Sequence, residues 1–238
     1  MGKGRYQGRR AAAFIFDLDG TLVDSGRDIA LAANFTRAHF GLPELPLATV
    51  AGYVGDGVAT LLYRTLGHDP ATGLTLDRGL PVGDEMHAEA MRIFADRYGR
   101  HLLDTTRLYP GVLEVLARYR RFPLGLATNK PRVFTDAILA GLHIDGAFDA
   151  VVAGDETPAR KPDPEHLRRC LAGWRVDPAE VAVVGDSPND IAAARALGAV
   201  AVGCTYGLTA AGVIRAAGPD LVIDGIGELA GLFPARAT

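Results

Sequence analysis

Short unbroken apolar runs alternate with amphipathic segments along most of the chain. Residues 11–16, 124–127, 150–153, 181–184, 199–204 and 221–223 form such runs, the pattern of strands buried on both faces. Helical periodicity marks residues 111–121, 131–141, 164–174, 188–198 and 208–217 between them. Two of these segments open on a capping residue followed by proline, Asp163-Pro164 and Ser187-Pro188. Strand, helix and strand repeated at this spacing predict right-handed crossovers and an α/β fold. The expected core is a doubly wound, Rossmann-like parallel sheet with helices on both faces.

Residues 27–104 break the pattern, because no strand stands out among them. Helical segments at 28–40, 57–66 and 84–98 are joined by loops at 41–47 and 67–83. A block of this length is too long for an ordinary crossover. It predicts an all-helical cap domain over 27–104, inserted into a catalytic core of residues 11–26 and 105–238. Residues 1–10 are expected to be a disordered tail.

Composition narrows the chemistry. With 238 residues, 48% hydrophobic and 22% charged, the chain is globular rather than disordered, collagen-like or solenoidal. A net charge of −3 offers no overall positive field for nucleic acid or anionic lipid, so any phosphate site must be local. No apolar run approaches the roughly 20 residues of a membrane span. The run at 11–16 follows Lys3, Arg5, Arg9 and Arg10 but is short for a secretory leader, which needs about seven apolar residues. Tyr6 occupies the position where an N-myristoylation signal carries serine or threonine. Cys170 and Cys204 form no paired motif and read as reduced thiols. A cytoplasmic protein without nucleic-acid or membrane partners is expected, as a monomer or homodimer. Of the 25 basic residues only Lys3, Lys130 and Lys161 are lysines, the last two in short punctuated loops that a compact ammonium suits.

In open α/β sheets, ligands bind beyond the carboxyl ends of the strands. The polar residues there are Asp17 and Asp19 after the first run and Thr128, Asn129 and Lys130 after the second. Lys161 lies in a later loop, and Asp186 and Asp190 follow the fourth run. Carboxylates gathered on one edge repel unless a cation neutralises them, and an all-oxygen ligand set favours Mg²⁺. Local structure offers competing roles. Asp19-Gly20 suits a turn, Asp190 suits a capping box with Ser187, and Thr128 or Asn129 suits the cap of the helix near Pro131. Lys161 suits a solvated surface as well as a site. Asp17, ending a buried strand, has no such local role. Neither the histidines at 39, 68, 87, 101, 143 and 166 nor Gly55-Asp56-Gly57 carries the spacing of a metal or dinucleotide motif.

Phe14-Ile15-Phe16-Asp17-Leu18-Asp19-Gly20-Thr21 resembles the first motif of the haloacid dehalogenase superfamily. Leu126-Ala127-Thr128-Asn129-Lys130 resembles the second, Lys161-Pro162-Asp163-Pro164 the third and Val184-Gly185-Asp186-Ser187-Pro188-Asn189-Asp190 the fourth. The four occur in that superfamily's order. Within it the chain is most similar to the phosphoglycolate phosphatase family, on Val54-Gly55-Asp56-Gly57, Tyr109-Pro110-Gly111, Thr128-Asn129-Lys130-Pro131, Thr205-Tyr206-Gly207 and Pro219-Asp220-Leu221. It departs from that family at Asp56, often asparagine, and at Asp163, commonly histidine.

The resemblance implies a Mg²⁺-dependent phosphate monoester hydrolase for a small phosphorylated metabolite, 2-phosphoglycolate first. Asp17 would form an aspartyl-phosphate, and Asp19 would act as general acid and then base. Mg²⁺ would be held by the Asp17 carboxylate, the Asp19 backbone carbonyl and the Asp186 carboxylate, with Asp190 behind them holding a water or Lys161. Thr128, Asn129 and Lys161 would bind the phosphate, and Gly55, Asp56 and Gly57 of the cap would meet the substrate. The rivals are a phosphosugar mutase, a phosphatase of sugar phosphates, nucleotides or pyrophosphate, a haloacid dehalogenase, which has no need of Asp19, and a phospho-accepting receiver, which lacks a cap.

Overall fold

All six apolar runs become strands of one parallel sheet in the computed structural model, which describes residues 11–67 and 84–234. The 1–10 tail and most of the 67–83 loop lie outside the described residues. The sheet strands are β1 (Ala13–Phe16), β4 (Leu124–Ala127), β5 (Ala150–Val152), β6 (Val181–Gly185), β7 (Val200–Cys204) and β8 (Leu221–Ile223), in the spatial order β5-β4-β1-β6-β7-β8. Two-residue strands β2 (Val23–Asp24) and β3 (Arg107–Leu108) bracket residues 25–106 in the sequence. The chain winds outward from β1 through β4 to β5, then returns to β6 on the other side of β1. That reversal opens a crevice at the carboxyl ends of β1 and β6. Phe16 is level with Leu126 on one side and Val184 on the other, so the residues that follow these strands emerge side by side.

Helices cover both faces of the sheet, which is why the central strands are apolar without alternation. Successive β1 side chains point to opposite faces. Phe14 packs on Tyr119 of α5 (Val112–Tyr119) at 4.1 Å and against Phe122 and Phe233. Ala13 and Ile15 join Val181, Val183, Leu167, Cys170 and Ile191 in the opposite layer. The remaining helices of this unit are α6 (Arg132–Gly141), α7 (Glu165–Leu171), α8 (Pro188–Leu197), α9 (Ala211–Ala216) and α10 (Leu229–Leu232).

The segment Ser25–Arg107 is a separate compact unit, and its described elements are α1 (Gly26–His39), α2 (Leu47–Ala51), α3 (Val58–Thr65) and α4 (Asp84–His101). Its edges fall two and three residues outside the expected 27–104. Asp28, at the start of α1, accepts hydrogen bonds of 2.6–3.1 Å from the amides and hydroxyls of Thr105 and Thr106. Burial opposes its charge, but these donors hold its carboxyl below the usual range. Asn34 exchanges two hydrogen bonds with the Leu45 backbone, tying the 41–46 connection to α1. None of the described helices is long and apolar enough to cross a membrane.

Two capping expectations are corrected. The helix after Asp163 begins at Glu165 with Pro164 as its N-cap, while Asp163 accepts from the Glu165 amide. Neither Thr128 nor Asn129 caps α6, whose N-cap is Pro131, because both side chains are drawn inward.

His166 on α7 is fully buried beside the Thr157 hydroxyl. Burial, with Lys161 nearby, lowers its pKa from 6.5 to about 4. Between those values the unfolded chain binds a proton that the folded chain refuses. This residue's contribution to stability is therefore complete above pH 6.5 and lost as pH falls towards 4, by at most about 3 kcal/mol. Thermal melts of wild type and His166→Gln between pH 4 and 7 should show the acid-side loss reduced in the variant. Parallel curves would refute the assignment.

Candidate active site

The carboxyl ends of β1, β4 and β6 bring Asp17, Asp19, Thr128, Asn129, Asp186 and Asp190 together, and Lys161 joins them from a later loop. Asp17 follows β1 directly, with its amide donating to Val184 O at 2.9 Å. The chain then turns through Gly20, whose φ of +82° suits glycine. A Cβ there would lie 2.1 Å from Asp186 Oδ2, so the turn approaches that carboxylate more closely than any side chain permits.

Lys161 is the hub. Its Nζ donates to Asp17 Oδ1 at 2.7 Å, Asp190 Oδ1 at 2.6 Å and the Ala127 carbonyl at 2.6 Å. Burial alone would lower its pKa, but Asp17 and Asp190 reverse this and raise it, so the ammonium is firmly charged. Asn129 holds the Lys161 loop in place: its amide donates to Lys161 O and its carbonyl accepts from Lys161 N–H, both at 3.0 Å. Thr128 is buried, and its Oγ1 accepts from the Lys130 amide at 3.2 Å. Asp190 closes a capping box with Ser187 at the start of α8, its Oδ2 accepting from the Ser187 amide and hydroxyl.

Asp186 is held from three directions. Thr21 Oγ1 donates to Oδ1 at 3.3 Å, and the Leu208 and Thr209 amides donate to Oδ2 at 2.8 and 3.4 Å. Gly207 lets this loop close in, since a Cβ there would meet Gly20 O at 2.3 Å and Asp186 at 2.4 Å. Tyr206 anchors the same loop by donating its hydroxyl to Thr21 O at 2.9 Å.

The electrostatics favour a cation. Burial raises the Asp17 pKa to about 7, with Asp190 and Asp19 adding to the rise and Lys161 opposing it. Asp186 is pushed well above the carboxylate range by burial and by Asp17 and Asp190, against the loop amides. Oxygens of Asp17, Asp186 and Asp190 lie within 4.8 Å of one another. Ionised together, Asp17, Asp19, Asp186 and Asp190 would exceed Lys130 and Lys161 by two negative charges, the charge of one divalent cation. An all-oxygen set of this kind fits a hard ion such as Mg²⁺.

Asp19 departs from the metal cluster by its side chain, which pairs with Lys130, so only its backbone carbonyl is left for an ion. Gly55, Asp56 and Gly57 belong to the helical unit. Gly57 is the N-cap of α3, and Asp56 accepts from Arg64 at 2.5 Å. Sequence reasoning placed Lys130 at this edge without a role, gave none to Thr21, and noted Thr205-Tyr206-Gly207 only for the family resemblance while placing residues 208 and 209 in a helix that begins at Ala211. Thr21 stands inside the first motif, but the loop acts through backbone amides that leave no residue-type signal.

A family model described as haloacid dehalogenase-like hydrolase matches residues 11–198. The chain is 39% identical over 227 residues to a phosphoglycolate phosphatase of Chromobacterium violaceum, covering 91% of this chain and 94% of that one. It is 40% identical over 229 residues to a plasmid phosphoglycolate phosphatase of Cupriavidus necator, covering 94% of each. Among solved structures, a predicted phosphoglycolate phosphatase from Haemophilus somnus superposes with a TM-score of 0.85 at 30% identity, over 93% of this chain and 97% of that one.

Proposed function

The chain belongs to the haloacid dehalogenase-like hydrolases, and on that premise we propose that it hydrolyses 2-phosphoglycolate to glycolate and phosphate through an aspartyl-phosphate on Asp17. The observation that carries the reading is the setting of Asp17: a buried carboxylate at the end of the central strand, gripped by Lys161 and facing the acids that suit Mg²⁺. A phosphate monoester is a dianion, so the hydrolase must neutralise charge and align the attack more than strengthen the nucleophile.

Asp17 attacks phosphorus, and splitting one displacement into two lowers the barrier of each. The Lys161 ammonium holds the attacking carboxylate in place and sets its positive charge beside the phosphoryl oxygens, which Thr128 meets with its hydroxyl. Asp19 gives its proton to the leaving alkoxide and then takes one from the water that attacks the phosphoenzyme. Asp17, the Asp19 carbonyl and Asp186 would hold Mg²⁺, with Asp190 behind them on Lys161. Bound there, the ion supplies positive charge to the phosphoryl oxygens as negative charge builds on them. Gly55, Asp56 and Gly57 are the proposed contacts of the helical unit with the substrate.

The test is a screen of small phosphate esters with and without Mg²⁺: 2-phosphoglycolate, sugar phosphates, nucleotides and pyrophosphate. The highest kcat/KM is expected for 2-phosphoglycolate, with free phosphate released and no sugar bisphosphate required. A preference for a sugar phosphate, or isomerisation without phosphate release, would replace this substrate.

A further inference from the structure

Lys130 touches the one carboxylate that must be aimed at the leaving oxygen. Its Nζ donates to Asp19 Oδ1 at 3.0 Å and Oδ2 at 2.9 Å, and the two side chains are only 5% and 10% exposed. An ammonium straddling both oxygens fixes the plane of the carboxylate as well as its place, which one hydrogen bond does not. The base of Lys130 is itself clamped. Its amide donates to Thr128 Oγ1 at 3.2 Å, and its carbonyl accepts from the Gly154 amide at 2.8 Å. Gly154 sits so close that a Cβ would fall 2.1 Å from Asn129 O. The ammonium that orients Asp19 thus projects from the same rigid loop as Thr128.

We infer that Lys130 is the positioning residue for Asp19, holding its carboxyl group on the line to the leaving oxygen. The inference rests on the reading above in which Asp19 is the general acid. In that step the Asp17 Oδ–P bond forms and the P–O bond to the leaving group breaks. The bonding pair stays on the leaving oxygen, which receives the Asp19 proton. A leaving group that is already stable as an anion departs without that proton, so misalignment of Asp19 matters only where the proton is needed.

Two small substrates separate the cases. 2-Phosphoglycolate releases an alkoxide, whereas acetyl phosphate, of similar size, releases acetate. The quantity to compare is kcat/KM, which reports steps up to formation of the phosphoenzyme. For Lys130→Met it should fall about ten- to a hundredfold with 2-phosphoglycolate, the scale of a misplaced catalytic group. With acetyl phosphate the change should stay within about threefold. Lys130→Arg, which also reaches both oxygens, should recover part of the loss. Lys130→Gln keeps a polar end should the methionine variant fail to fold. Asp19→Asn is the reference. If it lowers both substrates alike, Asp19 is not the acid and the reading of the reaction fails. If Asp19→Asn discriminates while the folded Lys130 variants lower both substrates equally, or neither, the positioning role is overturned.

Discussion

Asp17→Asn is expected to lower turnover of 2-phosphoglycolate by more than about a hundredfold, the scale of losing a nucleophile. The substitution keeps shape and removes charge, so it separates chemistry from folding unusually well. Burial raises the Asp17 pKa to about 7, which means that the fold resists its ionisation rather than depending on it. A neutral amide should therefore cost little stability, even though Lys161 must then rely on Asp190 and the Ala127 carbonyl. A melting curve close to wild type, with steady-state turnover near background, is the expected pair of results. Brief exposure to labelled substrate should leave phosphate on the wild-type chain after acid quenching and none on the variant. Turnover within a few-fold of wild type would remove Asp17 from the reaction.

Chelation of divalent metal should abolish turnover, with Mg²⁺ restoring it. The expectation comes from the surplus of acids over lysines and from the raised pKa values of Asp17 and Asp186, both signs of acids waiting for a cation. Two readouts do not depend on catalysis. Saturating Mg²⁺ should raise the melting temperature, since a ligand at a hundred times its Kd adds about 2.7 kcal/mol. Binding at pH 6 should also release protons, because Asp17, which titrates near 7, must give its proton up to take the ion. Asp186→Asn should lose both effects. Full turnover in excess chelator, or no thermal response to Mg²⁺, would contradict the metal reading.

Much of this fold is legible in the sequence because parallel strands covered on both faces have no polar alternation to blur them. Residues 124–127 and 221–223 coincide with strands β4 and β8. Helix ends are less legible, since Asp163-Pro164 satisfies the statistics of a cap while the helix starts one residue later. The short helix α2 escapes because five residues carry too little periodicity. Within the candidate site, acids ending buried strands announce themselves by the energetic cost of placing a charge there. The Lys130–Asp19 pair does not, because it joins positions 111 residues apart and each residue has an ordinary local explanation. The donors to Asp186 are fainter still, since an amide at Leu208 or Thr209 would serve with almost any side chain except proline.

Those two amides also set an order of assembly. Asp186 leaves the ribosome well before Leu208 and Thr209, so in a nascent chain ending between them it has the Thr21 hydroxyl but neither loop amide. Asp186 thus gains these two donors only once the loop after β7 has folded back over Gly20.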